Sequence, residues 1–187
     1  MTPCVKLRIE LLGAPYPIWR EVVVPADLSL DRLHDVIQIA MDWEDRHLHE
    51  FRFGKTRYTE APEHRSEGRD ELGVALGSVT GPGKSFLYVY DFGDDWHHQI
   101  EVSKARAEEI DSDVPLYCSN GCGCAPPEDV GGVYGLANLL EILGDPKHEE
   151  RDDYLEWLGG YFDAASFCTA MVNAELTKYL RWCRPRR

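Results

Sequence analysis

Three aspartates, a tryptophan and two histidines lie within eight residues, between two segments whose composition is typical of β-strands. The segment runs from Asp91 to His98. Carboxylate and imidazole groups can bind a metal ion, transfer a proton or hold a polar partner. A hairpin that needed only a tight turn would use Asn-Gly or Asp-Gly at this point. The segment therefore predicts a site whose binding residues are Asp91, Asp94, Asp95, Trp96 and His97.

A second group of candidate binding residues consists of His47, His49 and Glu50. The two imidazoles are two residues apart, so they would share one face if the segment were a strand. That face could hold a metal ion, although the spacing is not that of a helical zinc-protease motif. A structural role for both histidines is the alternative.

The third group is Glu128 and Asp129, which lie between a Pro-Pro pair and a Gly-Gly pair. The prolines restrict φ and the glycines permit tight turns, so the loop can hold both carboxylates in fixed positions. The alternative is an ordered connector in which Asp129 caps the following turn. We expect the three groups to meet on one surface, with His49 within about one side-chain length of Asp94 or Asp95 and of Glu128 or Asp129.

Three cysteines, Cys118, Cys122 and Cys124, fall within seven residues that also contain two glycines. Their thiolates could supply three of the four ligands of a tetrahedral zinc site. The fourth ligand could be Cys168, His148 or His97. No second C-x2-C pair accompanies them, so free thiols in a loop are the alternative.

The elements that would position these groups predict an α+β fold. Alternating apolar residues indicate strands at Val5–Leu12 and Trp19–Val24, and helical spacing indicates a helix near 29–41. Further strands are expected at 49–53, 57–59, 86–90 and 96–102. This order is that of a β-grasp-like antiparallel sheet with one packed helix, with a ferredoxin-like arrangement as the alternative. Short helices near 136–143 and 149–158 and a last helix after Asp163 form a C-terminal helical extension.

The length of 187 residues suits a single domain, 1–187. We divide it into a β-rich core at 1–105, a Cys/Pro/Gly-rich loop at 106–132 and the helical extension at 133–187. No apolar run is long enough to span a membrane, and the first residues alternate like a strand rather than a signal peptide. We therefore expect a cytoplasmic protein without membrane contact, whose cysteines are thiols or metal ligands rather than disulfides.

The charge distribution disfavours nucleic acid as a partner. The net charge is −13, with −14 in residues 91–163 and +4 in residues 164–187. An acidic surface repels phosphates, and a short basic tail offers few contacts to them. Specific binding to duplex DNA is therefore not expected.

The ordered motifs together resemble a known family. They are Pro17-Ile-Trp-Arg20, Ser29 to Gln38, Met41-Asp-Trp-Glu44, His47 to Phe51, Tyr90 to His97, Pro126 to Gly132 and Tyr154 to Leu158. This run resembles the plasmid pRi ORF-three-like family, whose members are also labelled transposon passenger or TnpR-like proteins. The resemblance covers about residues 5–176. Members of that family often have Cys directly before the Pro-Pro pair, whereas this chain has Ala125 there and Cys124 before it.

The residues favour a binding or interaction domain whose acidic, His- and Trp-containing surface takes an unidentified protein or a small polar ligand. The alternative is a metal-dependent hydrolase or nuclease that acts through His49, Asp91, Asp94, Asp95 and His97. A third possibility, implied by the TnpR-like label, is a transposon-associated DNA-binding protein. The cofactor expected is zinc, bound by Cys118, Cys122 and Cys124, whereas the hydrolase would need a metal ion of unspecified type at the acidic site.

Overall fold

Over the residues that the structure describes, the fold is an eight-stranded sheet with five helices. A computed structural model describes residues 3–64, 66–106 and 116–182. The strands are β1 Cys4–Leu11, β2 Trp19–Pro25, β3 His49–Phe53, β4 Thr56–Thr59, β5 Arg69–Asp70, β6 Ser85–Tyr90, β7 Trp96–Lys104 and β8 Tyr117–Cys122. The helices are α1 Leu30–Met41, α2 Leu76–Val79, α3 Gly132–Gly144, α4 Arg151–Trp157 and α5 Thr169–Trp182. The predicted α+β class is confirmed.

The strand order across the sheet is β5-β4-β3-β6-β7-β1-β2-β8. Every neighbouring pair is antiparallel except β4 and β5, which are parallel over two residues. The prediction of an antiparallel sheet is therefore wrong at this edge. The reason is that residues 60–68 carry the chain back past β4, so that β5 runs in the same direction.

The main core lies between the sheet and α1. Helical spacing places Leu30, Leu33 and Ile37 on the buried face of α1, and all three are inaccessible to solvent. Alternate sheet residues such as Ile9 and Tyr88 belong to the same cluster. The amphipathic pattern that predicted this helix thus also identifies the face that stabilises it, since burying each large apolar side chain contributes about 1.5–3 kcal/mol.

Strand β8 and helix α5 change the predicted organisation of the C-terminal half. β8 lies inside the segment 106–132 that the sequence indicates as a loop, of which residues 107–115 lie outside the described part. Its sequence lacks apolar alternation, so the strand depends on pairing with β2. Helix α5 packs against β8 and α1 instead of extending from the fold. The division of the domain into three segments otherwise stays a prediction.

The amide of Asn173 in α5 joins the helix to the edge strand. The Cys118 backbone N–H donates to Asn173 Oδ1 at 2.7 Å, and Asn173 Nδ2 donates to the Cys118 carbonyl at 2.9 Å. The Asn173 side chain thus pairs with both the N–H and the C=O of Cys118, as a residue of a neighbouring strand would. Covering a sheet edge in this way also removes a surface for unwanted strand pairing.

None of the described helices has the length and apolar character that a membrane span requires.

We expect Asn173→Ala to lower the free energy of unfolding by about 1–3 kcal/mol, because two backbone groups of β8 lose their partners. Urea denaturation measures the change. The matched control is Lys178→Ala on the same helix, where the exposed side chain pairs only with Glu175 and little change is expected. Equal losses in the two variants would contradict a stabilising role for the Asn173 amide.

Candidate functional site

Two loops that are distant in sequence are joined at one edge of the sheet. One is the turn 91–95 between β6 and β7, and the other is the segment 126–131 before α3. Asp94 Oδ2 accepts a hydrogen bond from the Gly131 backbone N–H at 3.1 Å. Gly132 has a φ of +67°, and a Cβ there would lie 2.5 Å from the Asp94 carbonyl oxygen. Glycine is therefore required for the loops to approach this closely.

His47 lies between these two loops and faces three carboxylates. Its Nε2 is 3.1 Å from Asp129 Oδ1, 3.6 Å from Asp91 Oδ2 and 3.8 Å from Glu128 Oε2. The ligand atoms of His47, Asp91 and Asp129 all lie within 4.8 Å of one another. In the described part of the chain, no other set of three His, Cys, Asp or Glu side chains is arranged in this way. We refer to His47, Asp91 and Asp129 as the metal-ligand cluster.

Two atoms of this region are buried without a hydrogen bond to any described residue. They are His47 Nε2 and Glu128 Oε2. The short distance from His47 Nε2 to Asp129 lacks the geometry of a hydrogen bond. A buried polar atom without a partner costs about 1–3 kcal/mol, so such atoms usually indicate a missing water, ion or ligand. A cation between the imidazole and the carboxylates would satisfy this need.

The backbone is in the left-handed region at two residues of the metal-ligand cluster. Asp91 has a φ of 54° and Asp129 a φ of 60°. Aspartate tolerates this conformation better than most residues, but it still costs free energy and is concentrated at functional sites. Asp91 Oδ1 accepts from the Gly93 backbone N–H at 2.8 Å. That bond orients the carboxylate so that Oδ2 faces His47.

Tyr90 fixes the position of Glu128. The Tyr90 hydroxyl donates to Glu128 Oε1 at 3.0 Å, and the Glu44 backbone N–H donates to the same oxygen at 2.9 Å. Burial raises the pKa of the Tyr90 hydroxyl, which therefore stays a donor. Thus Oε1 of Glu128 accepts two hydrogen bonds, whereas Oε2 accepts none from the described residues. Tyr90 was not among the predicted residues because it belongs to an alternating strand and resembles a core position.

The other predicted residues of the 91–98 segment lie outside the metal-ligand cluster. The Asp94 carboxylate accepts the Gly131 N–H that joins the two loops. Asp95 pairs with His97 at 2.8 Å on the surface. Trp96 is fully buried in the core, so its ring does not face a surface ligand.

His49 and Glu50 are also separate from the cluster. His49 is buried, and its Nε2 is 3.0 Å from both carboxylate oxygens of Glu71. Glu50 is buried in β3 and pairs with Arg52 and Arg57. The histidine that meets the acidic segments is therefore His47 and not His49.

His49 belongs to a second polar network that the sequence did not indicate. Its ring stacks on His34 with centroids 3.6 Å apart and an interplanar angle of 6°. His34 Nδ1 is 2.8 Å from the Tyr88 hydroxyl, and its Nε2 is 2.8 Å from Asp45. Burial, followed by the neighbouring His49, lowers the pKa of His34 to about 4. These partners account for both ring nitrogens of His34.

The predicted zinc site at the cysteines is not assembled in the described residues. Cys118, Cys122 and Cys124 do not form a group of three close ligand atoms. Burial raises the pKa of Cys118 to about 11 and also raises that of Cys124, which keeps both thiols protonated. The buried guanidinium of Arg20 lies near all three and opposes a second cation. The cysteine site stays a prediction that elemental analysis can test.

Comparison with known proteins finds relatives along nearly the whole chain. The family model described as "Plasmid pRiA4b ORF-3-like protein" matches residues 3–170. The uncharacterized protein y4hQ of Sinorhizobium fredii is 36% identical over an alignment of 189 positions, which covers 98% of this chain and 96% of that protein. The crystal structure of a protein of unknown function, MM3350 from Methanosarcina mazei Go1, is similar with a TM-score of 0.79 and 34% identity. That match covers 91% of this chain and 98% of the other. These findings confirm the resemblance inferred from the ordered motifs.

We expect Gly132→Ala to lower the free energy of unfolding by about 1–3 kcal/mol, because the new Cβ meets the Asp94 carbonyl and the positive φ disfavours alanine. Chemical denaturation measures the effect. Gly81→Ala is the matched control, since a Cβ there has no atom within 4 Å. The importance of the close approach would be refuted by a Gly132→Ala protein as stable as the control.

Proposed function

The chain belongs to the plasmid pRiA4b ORF-3-like protein family, and we propose that it binds a divalent metal ion at His47, Asp91 and Asp129 as the centre of its function. The observation that carries the proposal is the convergence of three ligand atoms within 4.8 Å of one another. Two buried atoms without hydrogen bonds, His47 Nε2 and Glu128 Oε2, adjoin the same position. One cation would neutralise the crowded carboxylates and satisfy the imidazole.

The ligand types select the class of ion. One imidazole nitrogen with carboxylate oxygens suits zinc, manganese or iron, whereas calcium and magnesium prefer oxygen ligands alone. Zinc was the cofactor expected from the sequence, and it fits this set of ligands as well. Its proposed position is therefore the metal-ligand cluster rather than the cysteines.

A metal ion here would make a binding site on an otherwise repulsive surface. Residues 91–163 carry a net charge of −14, so an anionic group would not approach unaided. Three protein ligands leave coordination positions open for an exogenous group. We therefore propose a small polar ligand, or a polar side chain of a partner protein, as the group that the ion holds.

Metal-assisted hydrolysis is the second candidate function, and Glu128 is the observation that favours it. Its Oε2 has no hydrogen bond among the described residues, while Oε1 is held by Tyr90 and Glu44. A carboxylate fixed beside a metal-bound water can act as the general base that removes its proton. Asp91 keeps its predicted role in this proposal, and Glu128 replaces His49, Asp94, Asp95 and His97.

Calorimetric titration of chelator-treated protein with zinc and manganese tests metal binding. We expect Asp91→Asn and Asp129→Asn to weaken the affinity at least about tenfold, because each removes a charged ligand. Asp95→Asn is the matched control. It makes the same chemical change in the same turn, but at a carboxylate that faces His97.

Two results would contradict the proposal. One is a wild-type protein that binds neither ion, and the other is a control variant that loses as much affinity as Asp91→Asn. Retention of zinc by Asp91→Asn with loss by Cys118→Ser would instead place the ion at the cysteines.

Glu128→Gln separates binding from hydrolysis. If Glu128 is a general base, the variant should keep metal affinity within a few-fold and lose about 10²–10⁴-fold in the rate of hydrolysis. A panel of chromogenic phosphate and carboxylic esters, assayed with the metal-loaded protein, gives the readout. Absence of metal-dependent turnover by the wild type on the whole panel would remove this candidate and leave the binding function.

A further inference from the structure

An apolar groove of about 530 Å³ lies between the end of α1, the segment 124–128 and the helix α5. This volume is typical of small-molecule sites, which are mainly apolar and have a few polar groups that fix the orientation of the ligand. The apolar lining includes Met41, Pro127, Leu158, Phe167 and Met171. The groove is distinct from the metal-ligand cluster, and Glu128 is the residue that lines one and adjoins the other.

Arg20 gives this groove a buried positive charge. Its side chain lines the groove, although the residue is only 3% exposed. Nε donates to the Ala40 carbonyl at 2.7 Å, and Nη1 donates to the carbonyls of Trp19 and Cys122 at 2.9 and 2.8 Å. The Phe167 ring lies 4.2 Å from the guanidinium carbon.

The charge of Arg20 has no carboxylate partner within salt-bridge distance among the described residues, and its Nη2 makes no hydrogen bond to them. Buried charges are normally paired, because the cost of removing an ion from water is large. The carbonyl at the end of α1 offsets part of this cost. The two N–H groups of Arg20 Nη2, beside the groove, still lack an acceptor among the described residues.

We propose that the groove binds a small organic monocarboxylate, with its carboxylate at Arg20 Nη2 and its apolar body against Phe167, Met171 and Leu158. A charge-assisted hydrogen bond between guanidinium and carboxylate is stronger than a bond between neutral groups. The apolar body contributes by removing exposed apolar surface from water, including the side chain of Met171, which is 70% exposed. The proposal goes beyond the metal centre and does not depend on it.

The other charges in the lining select a monoanion. Asp42, Glu128 and Glu175 also line the groove, and among the described residues Arg20 is the one cationic side chain in it. A dianionic phosphate would meet three carboxylates for one guanidinium, so repulsion would outweigh the gain. A neutral alcohol with the same apolar body as the monocarboxylate would not form the charge-assisted hydrogen bond to Arg20.

Titration calorimetry on chelator-treated protein tests the proposal with four probes: octanoate, octanol, acetate and octyl phosphate. We expect octanoate to bind at least about tenfold more tightly than each of the other three, since a hydrogen bond to a charged group corresponds to that factor or more. Metal-free protein is used so that the result is independent of the metal centre. Failure of metal binding would then leave this result unchanged, and failure here would leave the metal proposal unchanged.

Met171→Glu places a carboxylate on the exposed wall of the groove and should weaken octanoate binding at least about tenfold. Tyr134→Glu is the matched control, because Tyr134 is 90% exposed on α3 and does not line the groove. It should bind octanoate like the wild type. Circular dichroism establishes that both variants are folded.

Three results would overturn the proposal. The first is no octanoate binding by the wild type. The second is binding as tight as that of octanoate by octanol, which would deny the role of Arg20, or by octyl phosphate, which would contradict the selection of a monoanion. The third is an equal loss of affinity in Met171→Glu and Tyr134→Glu, which would place the ligand elsewhere.

Discussion

The candidate site depends on the contact between the Asp94 turn and the glycines that precede α3. The hydrogen bond from Gly131 to Asp94, and the close approach that Gly132 permits, hold Glu128 and Asp129 against the end of the β6–β7 hairpin. Without this contact, Asp129 would lose an anchor relative to Asp91, while Glu128 would still be held by Tyr90. The sheet provides the rigid half of the arrangement, because β6 and β7 each have a hydrogen-bonded strand on both sides. The loop 126–131 provides the other half, and α3 begins directly at the contact.

Arg20 plays a comparable part on the other side of the segment 124–128. Its guanidinium joins the last turn of α1, strand β2 and the end of β8 through three backbone carbonyls. Backbone carbonyls at the end of a helix need partners, and a buried cation is a strong one. The same side chain stacks on Phe167 and thereby helps to position the segment before α5.

The sequence predicted the parts of the fold that follow from periodicity. Helix α1 and the strands around the 91–98 segment have clear apolar patterns, and the structure contains them. The pattern failed for β8, because Cys118 to Cys122 form a strand only through pairing with β2 and capping by Asn173. It also failed for β5, which is two residues long and has no pattern to detect.

The sequence named His47, Asp91 and Asp129 among its candidate residues, but it indicated His49 as the histidine that meets the acidic segments. The assumption that His47 and His49 share a face requires a strand that includes both, whereas β3 begins at His49. His47 therefore has a loop conformation and turns toward Asp129, while His49 is buried with Glu71. For one residue that was not predicted, Arg20, the sequence did contain a signal. Arg20 occupies an inward position in β2, two residues before the buried Val22, where an apolar residue would be expected.

The two proposals follow from one electrostatic argument applied to opposite charges. Water or an opposite charge normally satisfies an ionised side chain, and a folded protein tolerates exceptions only where another interaction compensates for them. At the metal-ligand cluster the excess charge is negative and surrounds an unpartnered imidazole nitrogen, so the missing partner is a cation. In the groove the buried charge is positive and sits beside apolar side chains, so the missing partner is an anion with an apolar body. Glu128 belongs to both regions, with its outer surface in the groove and its Oε2 toward His47. The hydrogen bond from Tyr90 holds Glu128 Oε1, so that Oε2 stays toward His47 and beside the metal-ligand cluster.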